Sequence, residues 1–360
     1  MHLEVEQGIG GNSPVLRSRP ESRWILAAVG MSLLLAGCAP AAIGTGTPNA
    51  LDVRGRVAAV IAEEWWVQFG LGTAVFLVVT GILLYLVFTS ESNRLEPREM
   101  PIDRSPVQAG NWWIWIGGVI VPVVILGVLL FFSMRSHIAL ASPPKEPAFT
   151  VEVIGHRWWW EVRYPELGIV SANEIHLPLG EPVEVHLTSN DVIHSFWVPQ
   201  ITGKLDLNPG VTNTTWVQAD IAGIYRGICA EYCGLQHANM QFLVVAEPRA
   251  EWEQWRQRES QAAPQPADDS LRFGRQIFLG SSCVYCHTVR GTNATAEVGP
   301  DLTHLASRLT LAAGILENNR GNLAGWIIDP QHIKPGNLMP PTNMSGEELQ
   351  ALLMYLDSLH

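Results

Sequence analysis

The residues best suited to chemistry lie in one short segment, residues 227–240, which reads Gly-Ile-Cys-Ala-Glu-Tyr-Cys-Gly-Leu-Gln-His-Ala-Asn-Met. This segment supplies two thiols, one imidazole and one thioether: Cys229, Cys233, His237 and Met240. Soft and borderline donors this close together suit copper, zinc or an iron–sulfur centre, and they are poor ligands for magnesium or calcium. A second imidazole is needed to complete such a site, and His194 is the best placed candidate.

The thioether decides between the possible occupants of this segment. A zinc site uses the same pair of cysteines and pair of histidines. A disulfide between Cys229 and Cys233 is a further alternative, because such bonds persist in oxidising compartments. Met240 favours copper, since copper accepts a thioether as a weak ligand and zinc gains little from one. The segment therefore predicts a copper site.

A second chemical motif, Cys283-Val-Tyr-Cys286-His287, lies in the C-terminal quarter of the chain. Cys-x-x-Cys-His is the attachment motif of c-type haem, in which the cysteines form two thioethers and the histidine binds the iron. A thioredoxin-like Cys-x-x-Cys is the competing interpretation, but it lacks the following histidine. Met339 is the predicted second axial ligand, because the prolines that follow it stiffen its segment. The lesser candidates for that position are Met344, His304 and His332.

The composition limits what these two motifs can serve. The 360 residues have a net charge of −11 and a mean hydropathy of +0.13, so nucleic acid is an unsuitable partner and a purely soluble protein is disfavoured. An acidic surface would attract a basic protein such as a small c-type cytochrome. All five cysteines have an assigned role, which leaves none for a structural disulfide framework.

The N-terminal region has the pattern of a secretory signal. Residues 1–37 combine a basic stretch with an apolar run, and they end in Leu-Ala-Gly before Cys38. The residues around Cys38 resemble a bacterial lipobox, which predicts that this cysteine is lipidated. An ordinary signal peptide with an incidental cysteine is the alternative. Residues 38–64 are predicted to form a tether.

Two charge-free segments predict membrane helices over residues 65–90 and 112–134. Each is longer than the roughly 20 residues that a helix needs to cross a bilayer. Tryptophans cluster where each segment starts, as they do at membrane interfaces. The export signal places both outer ends outside the cytoplasm and the loop 91–111 inside. A buried helical hairpin in a soluble protein is the alternative.

The remainder of the chain divides into two soluble parts. Short strands separated by Pro and Gly over 150–164, 174–179, 182–188 and 214–218 predict a small sandwich or barrel spanning residues 149–245. A charged helix and a linker follow over 246–269. An amphipathic helix closes the last part, residues 270–360.

The motifs together resemble those of a known family. Cys-x3-Cys-x3-His-x2-Met preceded by a strand-borne histidine resembles the dinuclear copper (CuA) loop of cytochrome c oxidase subunit II. Residues 270–360 resemble a class I cytochrome c domain. The whole pattern is similar to subunit II of caa3-type oxidases. The resemblance implies a multi-domain membrane protein with a two-helix transmembrane hairpin, an all-β cupredoxin-like domain and an all-α cytochrome c domain.

The resemblance also implies roles for particular residues. The implied CuA ligands are His194, Cys229, Glu231, Cys233, His237 and Met240, and the implied haem c residues are Cys283, Cys286, His287 and Met339. In the family, the glutamate at the position of Glu231 binds copper through its carbonyl group and a magnesium ion, shared with the catalytic subunit, through its carboxylate. The indole at the position of Trp158 receives electrons. Two departures are Arg157, where the family has glutamine, and the lack of an acid over 109–115, where many members have a proton-channel glutamate.

The implied function is that of an electron relay within an oxidoreductase complex. An external donor such as a c-type cytochrome would reduce haem c, and electrons would pass through CuA to a catalytic haem–copper subunit that reduces oxygen. The implied location is the bacterial inner membrane, with both soluble domains on the periplasmic face. One alternative is the equivalent subunit of a CuA-containing nitric oxide reductase. Another is a membrane-anchored copper carrier or redox sensor, against which the second redox centre argues.

Overall fold

The computed structural model describes residues 48–90 and 108–360. The predicted signal peptide over 1–37, the lipidation of Cys38 and most of the predicted cytoplasmic loop lie outside the described residues. The tether predicted over 38–64 is described from residue 48 onward.

Two apolar helices come first, and both are long and apolar enough to cross a membrane. Helix α1 spans Arg56–Ser90. The second begins as α2, Gln108–Trp115, passes through a π-helical turn at Ile116–Ile120, and continues as α3, Val121–Leu140. Their outward-facing side chains are largely exposed within this single chain, as expected of surfaces that contact lipid.

Both helices extend beyond the predicted charge-free segments, because helical structure continues through charged residues near the sandwich domain. The first begins at Arg56, inside the predicted tether, where the Ala58 amide donates a hydrogen bond of 3.1 Å to the Ile201 carbonyl. The last ends at Leu140, whose carbonyl accepts a hydrogen bond of 3.0 Å from Trp216 Nε1. The outer ends of the hairpin therefore both contact the same domain.

The sandwich domain, residues 150–247, consists of ten strands in two five-stranded sheets. The first sheet has the order β3-β2-β1-β5-β8 and the second has β4-β10-β9-β6-β7. The strands are β1 Thr150–His156, β2 Trp159–Tyr164, β3 Ile169–Ala172, β4 Glu174–Pro178, β5 Val183–Ser189, β6 His194–Trp197, β7 Leu205–Leu207, β8 Asn213–Val217, β9 Gly223–Cys229 and β10 Gln241–Glu247.

The strand pattern predicted over 150–164 is a hairpin in the structure. Strands β1 and β2 pair antiparallel, with Gly155 opposite Trp160, and the chain turns at Arg157 and Trp158. A two-residue turn interrupts the alternation of side chains so briefly that the sequence reads as continuous. This turn carries Trp158 to the end of the sheet at which the metal-binding segment lies.

Aromatic side chains fill the space between the two sheets. Trp160, Phe196 and Phe242 are fully buried, and the rings of Trp160 and Phe242 lie 5.1 Å apart. Complete burial of one such side chain contributes roughly 1.5–3 kcal/mol to stability. The resulting core is rigid and supports the loops at its end.

The helical domain, residues 269–360, follows a connecting helix. Helix α4, Arg249–Glu259, packs on the sandwich domain through Trp252 and Trp255. The elements of the helical domain are α5 Asp269–Gly280, the short strands β11 Thr310–Leu311 and β12 Leu316–Glu317, α6 Arg320–Ile328, α7 Pro330–Ile333 and α8 Gly346–Asp357. A capping box between Ser345 and Glu348 begins α8.

The segment between α4 and α5, predicted as a linker, packs against the helical domain. Ala263 is buried, and its amide donates a hydrogen bond of 3.0 Å to the Arg290 carbonyl. The carbonyl of Gln261 accepts a hydrogen bond of 3.1 Å from His304 Nε2. Composition rich in Ala, Pro and Gln indicates a flexible chain, but these tertiary contacts order it. The segment is therefore ordered against the helical domain, and a separate hydrogen bond of 3.0 Å from the Gln241 amide to the Ala313 carbonyl helps to dock that domain on the sandwich domain.

Candidate metal and haem sites

Sheet pairing brings the metal-binding residues of the first motif together. Strand β6 begins with His194 and β9 ends with Cys229, and these two strands are neighbours, with Phe196 opposite Cys229. The loop after Cys229 returns to the same sheet at Gln241, the first residue of β10. Because all three positions lie at one end of the second sheet, the donor atoms converge there.

The donor atoms form a chain of close neighbours. The sulfur atoms of Cys229 and Cys233 are 3.8 Å apart, and each lies beside a different imidazole. His194 Nδ1 is 3.9 Å from the Cys229 sulfur, and His237 Nδ1 is 3.8 Å from the Cys233 sulfur. The Met240 sulfur is 3.8 Å from that of Cys233. The Glu231 carbonyl oxygen is 3.2 Å from the Cys229 sulfur, whereas the Glu231 side chain is exposed.

This arrangement fits a pair of soft metal ions. A sulfur–sulfur separation of 3.8 Å exceeds the covalent distance of about 2.05 Å, so both thiols are available as ligands. The two central sulfurs, with one imidazole on each side, would hold two such ions between them through soft and borderline donors. The ligand atoms of His194, Cys229 and Cys233 lie within 4.8 Å of one another, and all three residues are buried.

Asp191 orients the first imidazole. Its Oδ1 accepts a hydrogen bond of 2.9 Å from His194 Nε2, which leaves Nδ1 facing the sulfur of Cys229. Burial raises the pKa of Asp191, but hydrogen bonds from His194 and from the amides of Val192 and Arg157 outweigh it and lower the pKa to about 2. Asp191 is therefore ionised across the physiological range and holds one tautomer of His194.

Gly155 allows His194 to occupy its position. A Cβ atom at residue 155 would lie 2.7 Å from Cδ2 of the imidazole, which is closer than non-bonded carbon atoms approach. Any side chain at position 155 would push the His194 ring away from the two thiols of the candidate site.

The pKa values of the two thiols are shifted in opposite directions. The neighbouring Cys233 thiol lowers the pKa of Cys229, because an S–H group beside a thiolate donates a hydrogen bond to it. The same contact, together with burial, raises the pKa of Cys233, since a second thiolate would lie beside the first. The pair thus loses one proton readily and the second with difficulty. Metal binding releases such a proton, because the thiolate is the ligand.

The second motif lines a cavity of about 380 Å³ in the helical domain. All four residues predicted to hold haem c contribute to its wall: Cys283, Cys286, His287 and Met339. Of the candidates for the second axial position, Met339 alone is among the described residues that line the cavity. His332 is exposed, and His304 is buried beside Gln261.

His287 is held in the tautomer that an iron ligand needs. Its Nδ1 lies 2.8 Å from the Pro300 carbonyl, and a carbonyl only accepts, so Nδ1 carries the proton and Nε2 presents a lone pair. Burial lowers the pKa of His287 and favours the neutral ring. A Cβ atom on Gly299 would lie 2.8 Å from Cε1 of this ring, so glycine is required beside it.

Hydrogen bonds hold the segment that carries Met339. The Met339 amide donates to Asn337 Oδ1 at 2.8 Å, and Gln331 Nε2 donates to the Met339 carbonyl at 2.8 Å. Gln331 also donates to the Asn337 carbonyl at 2.8 Å. These contacts fix the backbone and leave the thioether to pack against the core of the domain.

Two polar atoms in the cavity wall support its fit to haem. Arg308 Nε and Thr310 Oγ1 are buried, and neither has a hydrogen-bond partner in the part of the chain that the structure describes. Buried polar groups are seldom left unpaired. Haem carries two carboxylates, and both atoms are suited to donate hydrogen bonds to an anion. Neither residue belongs to a recognisable motif.

Trp158 lies between the two sites. Its Nε1 donates a hydrogen bond of 3.0 Å to the carbonyl of Cys233. The half-buried ring also lines the cavity that contains the haem motif, together with the adjacent residues Arg157 and Trp159. The sandwich domain therefore closes one side of a cavity whose other walls belong to the helical domain. No sequence motif indicates this shared wall.

Comparisons with known proteins agree with the two-domain division. A family profile described as cytochrome C oxidase subunit II, periplasmic domain, matches residues 167–247. A cytochrome c profile matches residues 272–360. These two families imply a copper centre in the sandwich domain and haem c in the helical domain.

Relatives similar to nearly the whole chain share one name. The cytochrome c oxidase subunit 2 of Alkalihalophilus pseudofirmus is 35% identical over 336 residues, which cover 91% of this chain and 94% of the relative. That of Bacillus subtilis is 30% identical over 359 residues, covering 94% and 97%. The crystal structure of the periplasmic domain of subunit II of cytochrome oxidase from Bradyrhizobium japonicum is 27% identical. It covers 32% of this chain and 95% of that chain, with a TM-score of 0.31.

Proposed function

Since this chain belongs to the cytochrome c oxidase subunit II family, and is thus part of an oxidoreductase complex, we propose that it receives electrons from an external donor at haem c and delivers them through CuA to the catalytic subunit. One observation carries the proposal. A single residue, Trp158, lies in the wall of the cavity that contains the haem motif and donates a hydrogen bond to the carbonyl of Cys233. The two predicted cofactor sites are thus adjacent within one chain.

The proposed copper ligands are the thiolates, imidazoles, thioether and carbonyl that converge at the end of the second sheet: His194, Cys229, Glu231, Cys233, His237 and Met240. A copper pair held by these residues would supply electron transfer with little structural change. The protein contributes a rigid frame, since β6 and β9 are paired and Asp191 fixes the His194 ring. Met240 acts as a weak ligand that adjusts the potential.

The proposed haem c residues are Cys283 and Cys286 for covalent attachment, with His287 and Met339 as axial ligands. Thioether ligation raises the potential of haem iron. His287 is oriented by the Pro300 carbonyl, and Met339 by Asn337 and Gln331. Arg308 and Thr310 would bind the haem carboxylates. The protein thereby fixes both cofactors before an electron arrives.

In this proposal, Trp158 connects the two centres inside the chain. Its ring is half-buried beside the helical domain, so electrons reach it from haem c instead of directly from an external cytochrome. Indoles are large and polarisable, and this one is hydrogen-bonded to a copper-ligand residue. The external donor would dock on the exposed face of the helical domain.

Membership of the family implies a complex with other oxidase subunits, and the match to a periplasmic-domain profile implies that the sandwich domain lies on the outer face of a membrane. We propose that α1 and α3 form a transmembrane hairpin in the bacterial inner membrane. The sandwich and helical domains would then lie on its periplasmic face. The exposed Glu231 carboxylate is proposed to bind magnesium together with the catalytic subunit. Copper storage or sensing alone would give no reason for a second redox centre.

Metal analysis and rapid mixing together test the proposal. In the complex purified with its companion subunits, this chain should account for two coppers and one haem iron beyond those of the catalytic subunit, with an unpaired electron shared over the two coppers of this chain. After mixing with a reduced donor cytochrome, haem c absorbance should change before CuA absorbance. Cys233→Ser should abolish the copper signal, whereas Met240→Leu should retain it with a shifted potential. One zinc per chain, or reduction of CuA before haem c, would contradict the proposal.

A further inference from the structure

A buried lysine joins the two soluble domains. Lys334 is 2% exposed, and its Nζ donates hydrogen bonds to three carbonyl oxygens: those of Trp158 at 2.8 Å, Asn239 at 2.8 Å and Ala312 at 3.0 Å. The first two belong to the sandwich domain and the third to the helical domain. No carboxylate lies within ion-pair distance of this ammonium group in residues 48–90 and 108–360. The hydrogen bonds that stabilise its charge therefore all come from carbonyl groups.

The three carbonyls match the ammonium form in number. An ammonium group has three N–H donors and no acceptor, and each donor meets one oxygen. A neutral amine has only two N–H donors, so its lone pair would face the third oxygen. Burying a charge is unfavourable unless it is fully hydrogen-bonded. Two of the three bonds exist only while the domains are docked, so docking is coupled to this one side chain.

The same residue touches segments that carry both proposed cofactor sites. Asn239 directly precedes Met240, and Trp158 donates a hydrogen bond to the Cys233 carbonyl. Lys334 lies five positions before Met339 in the chain and lines the same cavity as the haem motif. A displacement of Lys334 would thus change the distance and orientation between the two sites, in addition to the contact area between the domains.

Neighbouring contacts align the docked surfaces around Lys334. Gln236 Nε2 donates to the Pro335 carbonyl at 2.8 Å, and the Gln241 amide donates to the Ala313 carbonyl at 3.0 Å. Glu174 Oε1 accepts from the amides of Leu309 and Thr310 at 2.6 and 3.2 Å. These contacts join the same two domains. They limit sliding of one domain over the other, whereas the three carbonyls around Lys334 fix the position of its ammonium group.

We propose that Lys334 is a positioning residue. Its ammonium group occupies a site formed by three carbonyl oxygens, two from the sandwich domain and one from the helical domain, and so fixes haem c relative to CuA. The consequence for electron transfer rests on the proposed function, whereas the docking rests on geometry alone. Oxygen atoms at 2.8–3.0 Å from one nitrogen also define a site that a small external ammonium ion can fill. The missing side chain can therefore be replaced chemically.

The first test measures docking without reference to electron transfer. The chain has three lysines, of which Lys145 and Lys204 are exposed. Amine acylation of the intact complex, followed by mass spectrometry, should label Lys145 rapidly and Lys334 slowly. Opening the domain contact in mild denaturant should remove that protection. Equal labelling of Lys145 and Lys334 in the native complex would overturn the proposal.

The second test measures positioning through electron transfer between the two centres after flash reduction of haem c. Burial lowers the pKa of Lys334 to about 7, so the measurement is made at pH 6, where the ammonium form is present. Lys334→Met should slow the transfer severalfold and lower the haem potential, because a positive charge near the cavity is lost. Lys145→Met is the matched control and should change neither value.

Chemical rescue separates positioning from a general defect. In Lys334→Ala, methylammonium should restore much of the transfer rate, whereas tetramethylammonium at equal ionic strength, which has no N–H donor, should not. Normal copper and haem spectra in each variant confirm that both sites are intact. Unchanged transfer in Lys334→Met, or rescue by both cations alike, would overturn the proposal. If electrons do not pass from haem to copper in the unaltered chain, the proposed function fails instead.

Discussion

The Asp191 carboxylate accepts a hydrogen bond of 2.9 Å from His194 Nε2 and thereby keeps Nδ1 directed at the Cys229 sulfur. Groups that orient metal-binding histidines typically contribute a factor of about 10–100 to metal affinity. We therefore predict that Asp191→Ala lowers copper affinity by roughly that factor. Competition with a copper chelator, followed by copper absorbance, measures the effect. Asp220→Ala, an exposed aspartate of the same domain, is the control and should leave the affinity unchanged.

A second residue affects stability rather than electron transfer. Glu259, at the end of α4, is buried, and this burial raises its pKa against the opposing charges of His304, Arg308, His176 and Arg290. A carboxyl group whose pKa is higher in the folded state stabilises the fold at low pH. That stability is lost as the pH rises from the unfolded value through the folded one. At neutral pH, the buried carboxylate is therefore destabilising.

We predict that Glu259→Gln raises the thermal unfolding midpoint at pH 7, because the amide removes the charge without removing the side chain. The difference should shrink as the pH approaches 4, where the unfolded carboxyl group is protonated as well. Unfolding followed by circular dichroism at both pH values measures it. The control is Glu251→Gln on the exposed face of the same helix. A stabilisation that is larger at pH 4 than at pH 7 would contradict the assignment.

At the scale of elements, the segment after α7 carries the proposed second haem ligand. Hydrogen bonds from Gln331 and Asn337 fix the Met339 backbone, and Met339 lines the cavity, whereas Met344 packs on the core outside the cavity wall. We predict that Met339→Ala lowers the haem potential and removes the absorbance of sulfur ligation, without changing the copper spectrum. Met344→Ala is the matched control. The reverse pattern in the two variants would reassign the ligand.

The sequence predicts elements where one local pattern determines the structure. The charge-free segments identify two helices, and Cys-x-x-Cys-His identifies three residues, Cys283, Cys286 and His287, that line one cavity together with Met339. The helix ends escaped prediction, because α1 continues through charged residues that contact the sandwich domain near Ile201. The hairpin over 150–164 escaped it as well, since its short turn hardly disturbs the alternation of side chains.

The sequence predicted which donor groups form the candidate site, but it did not predict the residues that surround them. Spacing in the sequence identified Cys229, Cys233 and His237, because metal-binding donors cluster in recognisable motifs. Lys334 and Arg308 belong to no motif, and their roles arise from contacts between segments far apart in the chain. Asp191 offered one weak signal, a carboxylate three residues before the strand histidine. Long-range contacts of this kind require the fold.

At the scale of the whole molecule, the helical domain changes which surface an external donor can use. It covers the turn that carries Trp158. The segment that precedes it, which the composition alone would leave as a flexible linker, is held against the helical domain at Gln261 and Ala263. A tethered domain would raise the local concentration of haem to about the millimolar range. Docking replaces that concentration effect with one fixed geometry, so transfer from haem c to CuA should be independent of donor concentration.

We predict that deleting residues 261–360 slows oxidation of a donor cytochrome at low donor concentration. The deletion also uncovers Trp158, so an external donor can approach the copper site directly, and the rate should recover as the donor concentration rises. Steady-state oxidation by the purified oxidase over a range of donor concentrations separates these effects, while an unchanged copper spectrum shows that the sandwich domain is intact. Oxidation that is equally fast at low donor concentration would mean that electrons do not pass through the helical domain. A rate that stays low at every donor concentration would mean that Trp158 cannot accept electrons from outside the chain.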